Sequence, residues 1–227
     1  MAIRGKGVLA IWMDPDPAIE EEFNAWYPRQ HLPERLGVPG FLRGRRYFTT
    51  GTPPEYFTLY ETETVEVLSS AAYLERLNHP TDWTRRVLPG LRQMIRSAYR
   101  FVGAVEEEEG KYLGTMRITP VPGQEEDLTR RYTNEVLRAL AEVPGVRSSY
   151  FFRAETADPS VVTEERKLVG NVLAPPAFLC TCELADPAVV EQSRWKNLWA
   201  PGGLACRGIA TTVAENVYRL MYGLAWL

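Results

Sequence analysis

The chain has 227 residues, 45% hydrophobic and 24% charged, with a formal net charge of −3 at neutral pH. That is ordinary globular material, enough for a real core in one large domain or two small ones. Lys and Arg are spread along the chain, without the concentrated basic surface of a nucleic-acid binder. Cys180, Cys182 and Cys206 do not make a disulfide framework. Cys180 and Cys182 share one face of a strand-like run and read as small buried apolar residues, not metal ligands. The early apolar run VLAIWM is too short for a signal-peptide core and no segment could span a bilayer, so a cytoplasmic protein without a membrane partner is expected.

In chain order, VLAIWM is a buried strand. Asp14-Pro15-Asp16-Pro17 supplies helix-start chemistry, and Glu20, Glu21 and Glu22 follow where negative charge suits a helix N-terminus. Ile19, Phe23, Trp26 and Tyr27 form one helical stripe, and Val-Pro-Gly at 38–40 ends the helix. FLRGRRYFTT and EYFTLYETE, separated by GTPP, read as a hairpin; VEVLSSAAYLERL reads as a second helix and SAYRFVGAVE as a fourth strand. The order β-α-β-β-α-β is the ferredoxin-like split unit.

After the charge run EEEEGK the pattern starts again. Residues 8–40 align without a gap on 113–145: Pro15 and Pro17 on Pro120 and Pro122, Glu20 and Glu21 on Glu125 and Glu126, Tyr27 on Tyr132, Val-Pro-Gly on Val-Pro-Gly. EYFTLYETE resembles AFLCTCELA at 177–185, and AYRFVG resembles VYRLMYG. The expected fold class is therefore α+β: two tandem ferredoxin-like units, 1–108 and 109–227, packed sheet to sheet as an intramolecular dimeric α/β barrel. The second unit differs in a long β2–β3 connection, 154–176, that suits a lid or clamp over its partner unit.

EFNAWYPRQHLPERL, VPGFLRGRRY and LNHPTDWTRR, in this tandem frame, resemble the dimeric α/β-barrel superfamily, and within it most of all the EthD-like and related poorly characterised families. As architecture the resemblance covers essentially the whole chain; the sharper motifs cover 20–48 and 77–86. It implies the fold. The superfamily spans polyketide cyclases, muconolactone-type isomerases, cofactor-independent monooxygenases and haem-degrading enzymes, so it does not fix the reaction.

WYPRQHLPERL holds one of the two histidines between two prolines, whereas its copy RYTNEVLRALA has none and should run unbroken to about Glu142. His31 aligns with Val136, which puts the imidazole on the inward stripe, and the prolines are expected to open the helix around it. An imidazole of pKa about 6.5 can exchange protons at cellular pH. The expected function is cofactor-independent lyase, isomerase or cyclase chemistry, a proton transfer next to a carbonyl of a small organic acid or aromatic compound. His31 would be the acid/base, Arg45 the clamp on a developing oxyanion and Tyr27 its neighbour. Trp26, Arg43, Tyr47, Tyr60, His79 and Trp83 would line the substrate site. His79 and Tyr27 also have structural readings, as a helix-end residue and a packing residue present in both units. No metal and no cofactor are expected. The alternatives are a non-catalytic small-ligand-binding or accessory protein, and a haem- or oxygen-dependent oxidoreductase. A further homodimer is left open.

Overall fold

The computed structural model of the chain describes residues 3–49, 51–156, 160–200 and 202–225. Strand β1 (Gly7–Pro15) is buried along VLAIWM. The Asp16 carboxylate accepts from the Ala18 amide at 3.0 Å and opens a short 3-10 turn that leads into α1 (Glu20–Trp26). A π turn, Tyr27–His31, joins α1 to α2 (Leu32–Leu36). β2 (Phe41–Phe48) and β3 (Tyr56–Thr62) form the expected hairpin, with Arg46 opposite Thr58. α3 (Ala71–Asn78) and α4 (Asp82–Val87) begin at Ser70 and Thr81, whose side-chain oxygens accept from Tyr73 and Thr84 amides. β4 (Leu91–Glu106) follows.

The second half repeats the plan: β5 (Tyr112–Pro120), α5 (Glu125–Arg131), a π turn at Tyr132–Val136, α6 (Leu137–Ala141) and β6 (Val146–Ala154). Then come α7 (Glu164–Leu168), β7 (Val172–Leu173), β8 (Phe178–Leu184), α8 (Ser193–Trp199) and β9 (Ala210–Ala225). Each half has the order fourth-first-third-second strand, β4-β1-β3-β2 and β9-β5-β8-β6. Val-Pro-Gly ends the helix in both: Gly40 and Gly145 have φ of +89° and +92°, and a Cβ there would meet Val67 or Val189 inside 3 Å. Among the described residues no helix is long and apolar enough to cross a membrane.

Two compact units result. One, the His31 unit, gathers Arg4–Ala98, Glu155–Pro175 and the chain end from Met221; the other, the Val136 unit, gathers Tyr99–Ala154 and Pro176–Leu220. Each has its own apolar core, one around Phe23, Trp26, Tyr60 and Leu91, the other around Leu128, Tyr132, Phe151 and Trp195. The long connection, apart from residues 157–159, which lie outside the described ones, packs in the His31 unit. The Asn78 side-chain oxygen accepts from the Glu164 amide at 3.1 Å, Val169 enters the core, and β7 pairs in parallel with Met94 and Ile95.

One expectation needs correction. The π turn is present in both halves: the Leu32 amide bonds the Tyr27 carbonyl five residues back, and the Leu137 amide bonds that of Tyr132. The prolines therefore do not create the irregularity around His31, and the second helix is not uninterrupted. Pro28 and its counterpart Thr133 both sit where the ladder changes step, and there Thr133 Oγ1 donates to the Thr129 carbonyl at 3.0 Å. The widened turn is part of the repeated backbone, and Pro28, having no N–H to lose, is tolerated in it.

Candidate functional site

The π turn places Tyr27 and His31 against the sheet, both buried. The imidazole lies 4.1 Å from the Trp26 ring and meets Tyr27 edge-on at 5.0 Å. Its Nδ1 is buried and makes no hydrogen bond. Burial pushes the His31 pKa well below 6.5, and the positive fields of Arg35, Arg46 and Arg96 push it the same way. At neutral pH the ring is therefore uncharged, a nitrogen acceptor or ligand and a poor proton store.

Alternation along β2 and β3 decides what faces this ring. Gly44 and Arg46, with Thr58 and Tyr60, point toward the helices. A Cβ at Gly44 would come within 2.5 Å of Leu32 and 3.1 Å of Tyr60, so glycine lets the π turn and α2 sit close on the strand. The buried Tyr27 hydroxyl lies against those of Thr58 and Tyr60 and interacts with both, though none of the three makes a well-aligned hydrogen bond. Burial raises the pKa of both phenols.

Two arginines complete the site, and they are held differently. Arg35 on α2 binds both carboxylate oxygens of Glu165, which α7 of the long connection delivers; the contact to Oε2 is 2.5 Å. The carboxylate keeps the Arg35 guanidinium firmly protonated, while its Nη1 makes no hydrogen bond. Arg46 is fully buried and has no carboxylate partner among the described residues. It donates to Asn24 Oδ1 at 2.8 Å and Tyr222 Oη at 3.3 Å. Its charge lies 4.4 Å from the Phe23 and Tyr27 ring centres, 4.8 Å from that of Tyr56 and 5.9 Å from that of Tyr222. A desolvated cation–π contact is worth about 2 kcal/mol or more. The effective penalty for burying an ion is several kcal/mol. The cage offsets part of that, and the Nε of Arg46 is left without a partner.

The Val136 unit shows that the fold does not need these groups. Through the alignment and the strand registers, His31, Arg35, Arg46, Thr58 and Tyr60 correspond to Val136, Leu140, Phe151, Cys180 and Cys182, all in that unit's apolar core. Tyr27 corresponds to Tyr132, whose hydroxyl does donate, to the Ala205 carbonyl at 3.1 Å. One unit fills these positions with hydrocarbon, thiol and ring; the other carries a buried polar set with unsatisfied atoms.

Of the residues singled out from sequence, His31, Tyr27, Trp26 and Tyr60 come together. Trp26 also donates to Thr84 Oγ1 at 3.3 Å, which fixes its indole to α4. Arg43, Arg45 and Tyr47 lie on the opposite face of β2. There Arg43 Nε donates to Glu61 at 2.8 Å, Arg45 pairs with the same carboxylate at 3.1 Å, and the Tyr47 ring packs on Phe57 at 5.8 Å. His79 is exposed at the end of α3, its Nδ1 on the Glu75 carbonyl at 2.9 Å, and Trp83 is half-buried at the rim of the core. Arg35, Arg46 and Thr58 were missed. The signal that finds them is the repeat itself, read position by position for polar residues opposite apolar ones. Among the described residues no three His, Cys, Asp or Glu side chains gather as a metal site.

No model of a protein family matches this chain, and no curated protein matches it. Solved structures do share its fold from end to end. An anthrone oxidase-like protein is 13% identical with a TM-score of 0.66, over 99% of this chain and 95% of its own. A candidate monooxygenase from Fusobacterium nucleatum is 9% identical with a TM-score of 0.56, over 98% and 95%. A candidate chlorite dismutase is 13% identical with a TM-score of 0.54, over 96% and 95%. The chain shares its α+β, tandem ferredoxin-like fold with these structures. At these identities it is the fold that is shared. The expected cofactor-independent lyase, isomerase or cyclase is corrected by this comparison: the neighbours carry oxidase, monooxygenase and dismutase names, and the oxidoreductase alternative fits them better. The expectation of no cofactor falls with it, since it was tied to that non-redox reaction.

Proposed function

We propose that this protein is a haem- or oxygen-dependent oxidoreductase acting on a small oxygenated aromatic compound, with its site around His31. The observation that carries this reading is the buried polar set His31, Arg35, Arg46, Thr58 and Tyr60, at positions the sibling unit keeps apolar. Phe23, Trp26 and Tyr56 supply aromatic walls, and the hydroxyls of Tyr27, Thr58 and Tyr60 supply hydrogen bonds to ring oxygens. The anthrone oxidase-like neighbour supports an aromatic, oxygen-bearing substrate.

Haem suits these residues in one respect that matters. Its iron needs a single protein ligand, and His31 offers a neutral, buried imidazole with an unpartnered nitrogen. His31 would hold the iron, and the haem would supply a centre for oxygen activation, the electrons coming from the aromatic compound that is oxidised. The chain's own contribution is to keep the imidazole unprotonated, to orient it between Trp26 and Tyr27, and to exclude water.

Two measurements test the reading. Titration with haemin should give a Soret band of a histidine-ligated haem that His31→Ala loses. Oxygen consumption with anthrone as probe should depend on His31, Tyr27 and Tyr60. Wild-type protein that neither ligates haem nor consumes oxygen with anthrone or its hydroxylated relatives would overturn it.

A further inference from the structure

Arg46 is the most unusual charge in the molecule. It is fully buried, ringed by Phe23, Tyr27, Tyr56 and Tyr222, and bonded only to two neutral groups. The nearest acid in its hydrogen-bond chain is Glu20, reached at two removes: Asn24 Nδ2 donates to Tyr56 Oη at 3.0 Å, and Tyr56 donates to Glu20 at 2.7 Å. The other acid of the site, Glu165, is engaged by both oxygens with Arg35. Three guanidiniums, Arg35, Arg46 and Arg96, thus act on His31, and Glu165 is the carboxylate held against Arg35. The cluster's unpartnered atoms include the donors Arg46 Nε and Arg35 Nη1, while the hydroxyls of Tyr27, Thr58 and Tyr60 face one another. Buried donors and an uncompensated cation are the complement of an anion carrying oxygen. The sibling unit makes the same point in reverse, because Phe151 replaces Arg46 at a position where packing asks only for a ring.

We propose that the buried cluster around Arg46 binds its substrate in the ionised form, as a phenolate or enolate on an aromatic ring, with Arg46 as the counter-ion and the Tyr27 hydroxyl, backed by Tyr60, as donor to the same oxygen. The ionised form is taken from solution, its proton left to solvent. This deepens the reading of the His31 site as the substrate site, and it is independent of how oxygen is used.

The test uses 4-nitrophenol, whose ionised form absorbs at longer wavelength, and its neutral methyl ether, 4-nitroanisole, without haem and without turnover. Bound 4-nitrophenol should show the phenolate band at a pH where the free compound is mostly protonated. Arg46→Met should weaken its binding about ten- to a hundredfold, the worth of a hydrogen bond to a charged group. Arg46→Lys should retain part of it, Tyr60→Phe should lose less than Arg46→Met, and none of these should change 4-nitroanisole binding more than about twofold. Circular dichroism checks that each variant is folded; should Arg46→Met fail to fold, the Arg46→Lys and Tyr60→Phe affinities decide. Wild-type protein that binds only the protonated phenol, prefers the ether or binds neither compound overturns the proposal. Arg46→Met that binds phenolate as well as wild type also overturns it. Oxygen consumption with anthrone and haemin binding are separate readouts, so failure of the oxidoreductase reading leaves this one standing or falling on its own.

Discussion

Replacing His31 with valine, the residue its sibling carries, separates a functional imidazole from a structural one. Val136 is fully buried at the equivalent position, so the backbone accepts a β-branched side chain in the π turn. The buried, unpartnered Nδ1 costs wild-type protein about 1–3 kcal/mol, which the substitution removes. Against that, valine is smaller than the ring tilted against Trp26 at 4.1 Å, and a void of that kind costs a similar amount, about 1–3 kcal/mol. The two nearly cancel, and at neutral pH stability should change by no more than about 1 kcal/mol. Acid pH breaks the tie. The folded pKa of His31 is depressed, so below the unfolded value of 6.5 the unfolded chain takes up a proton that the folded one refuses. Wild-type stability therefore falls as pH drops from there toward the folded pKa, by about 1.4 kcal/mol per pH unit from this group. The variant lacks that term and should gain about 1 kcal/mol on wild type between pH 6.5 and about 5.5. Urea unfolding followed by tryptophan fluorescence at both pH values measures it, with Trp26 as a local reporter. A variant several kcal/mol less stable at neutral pH, with the acid slope of wild type, would mean that the imidazole is a structural element and that the argument from the sibling fails.

Glu165→Gln should leave Arg35 buried without its anion. We expect a loss of about 3 kcal/mol, with faster proteolysis of the 155–175 segment; Arg35→Met together with Glu165→Met should recover most of the loss. Gly44→Ala drives a methyl into Leu32 and Tyr60 and should cost about 1–3 kcal/mol by thermal melting, and it should weaken 4-nitrophenol binding by shifting the π turn off the strand. In the Val136 unit, Cys182→Ser places a hydroxyl in a fully apolar core beside Cys180 and should lower stability by about 1–3 kcal/mol with no effect on ligand binding. A variant with unchanged stability would show that this core tolerates polar groups, and would remove the contrast between the two units.

The sequence by itself determined what depends on local chemistry and on repetition. Helix starts at Asp16, Val-Pro-Gly stops with positive-φ glycines, the hairpin around GTPP and the doubled β-α-β-β-α-β plan were all legible, because caps, turns and apolar runs act over a few residues. His31 was legible too, as a polar residue on an apolar stripe whose copy is valine. Tertiary structure decided the rest. The phase of β2 is set by the irregular pairing between Phe41 and Arg43, and by the close approach of Leu32 to Gly44. That phase turns Arg46 toward His31 and sends Arg43 and Arg45 to Glu61 on the opposite face, and no alternation count starting from the sequence fixes which of the two faces the helices cover. Arg35 and Glu165 are 130 residues apart, and only the folded long connection joins them. The π turn looked like a consequence of two prolines, yet it appears without them in the other half, because backbone hydrogen bonding through the packed helix, not the pyrrolidine ring, holds it open.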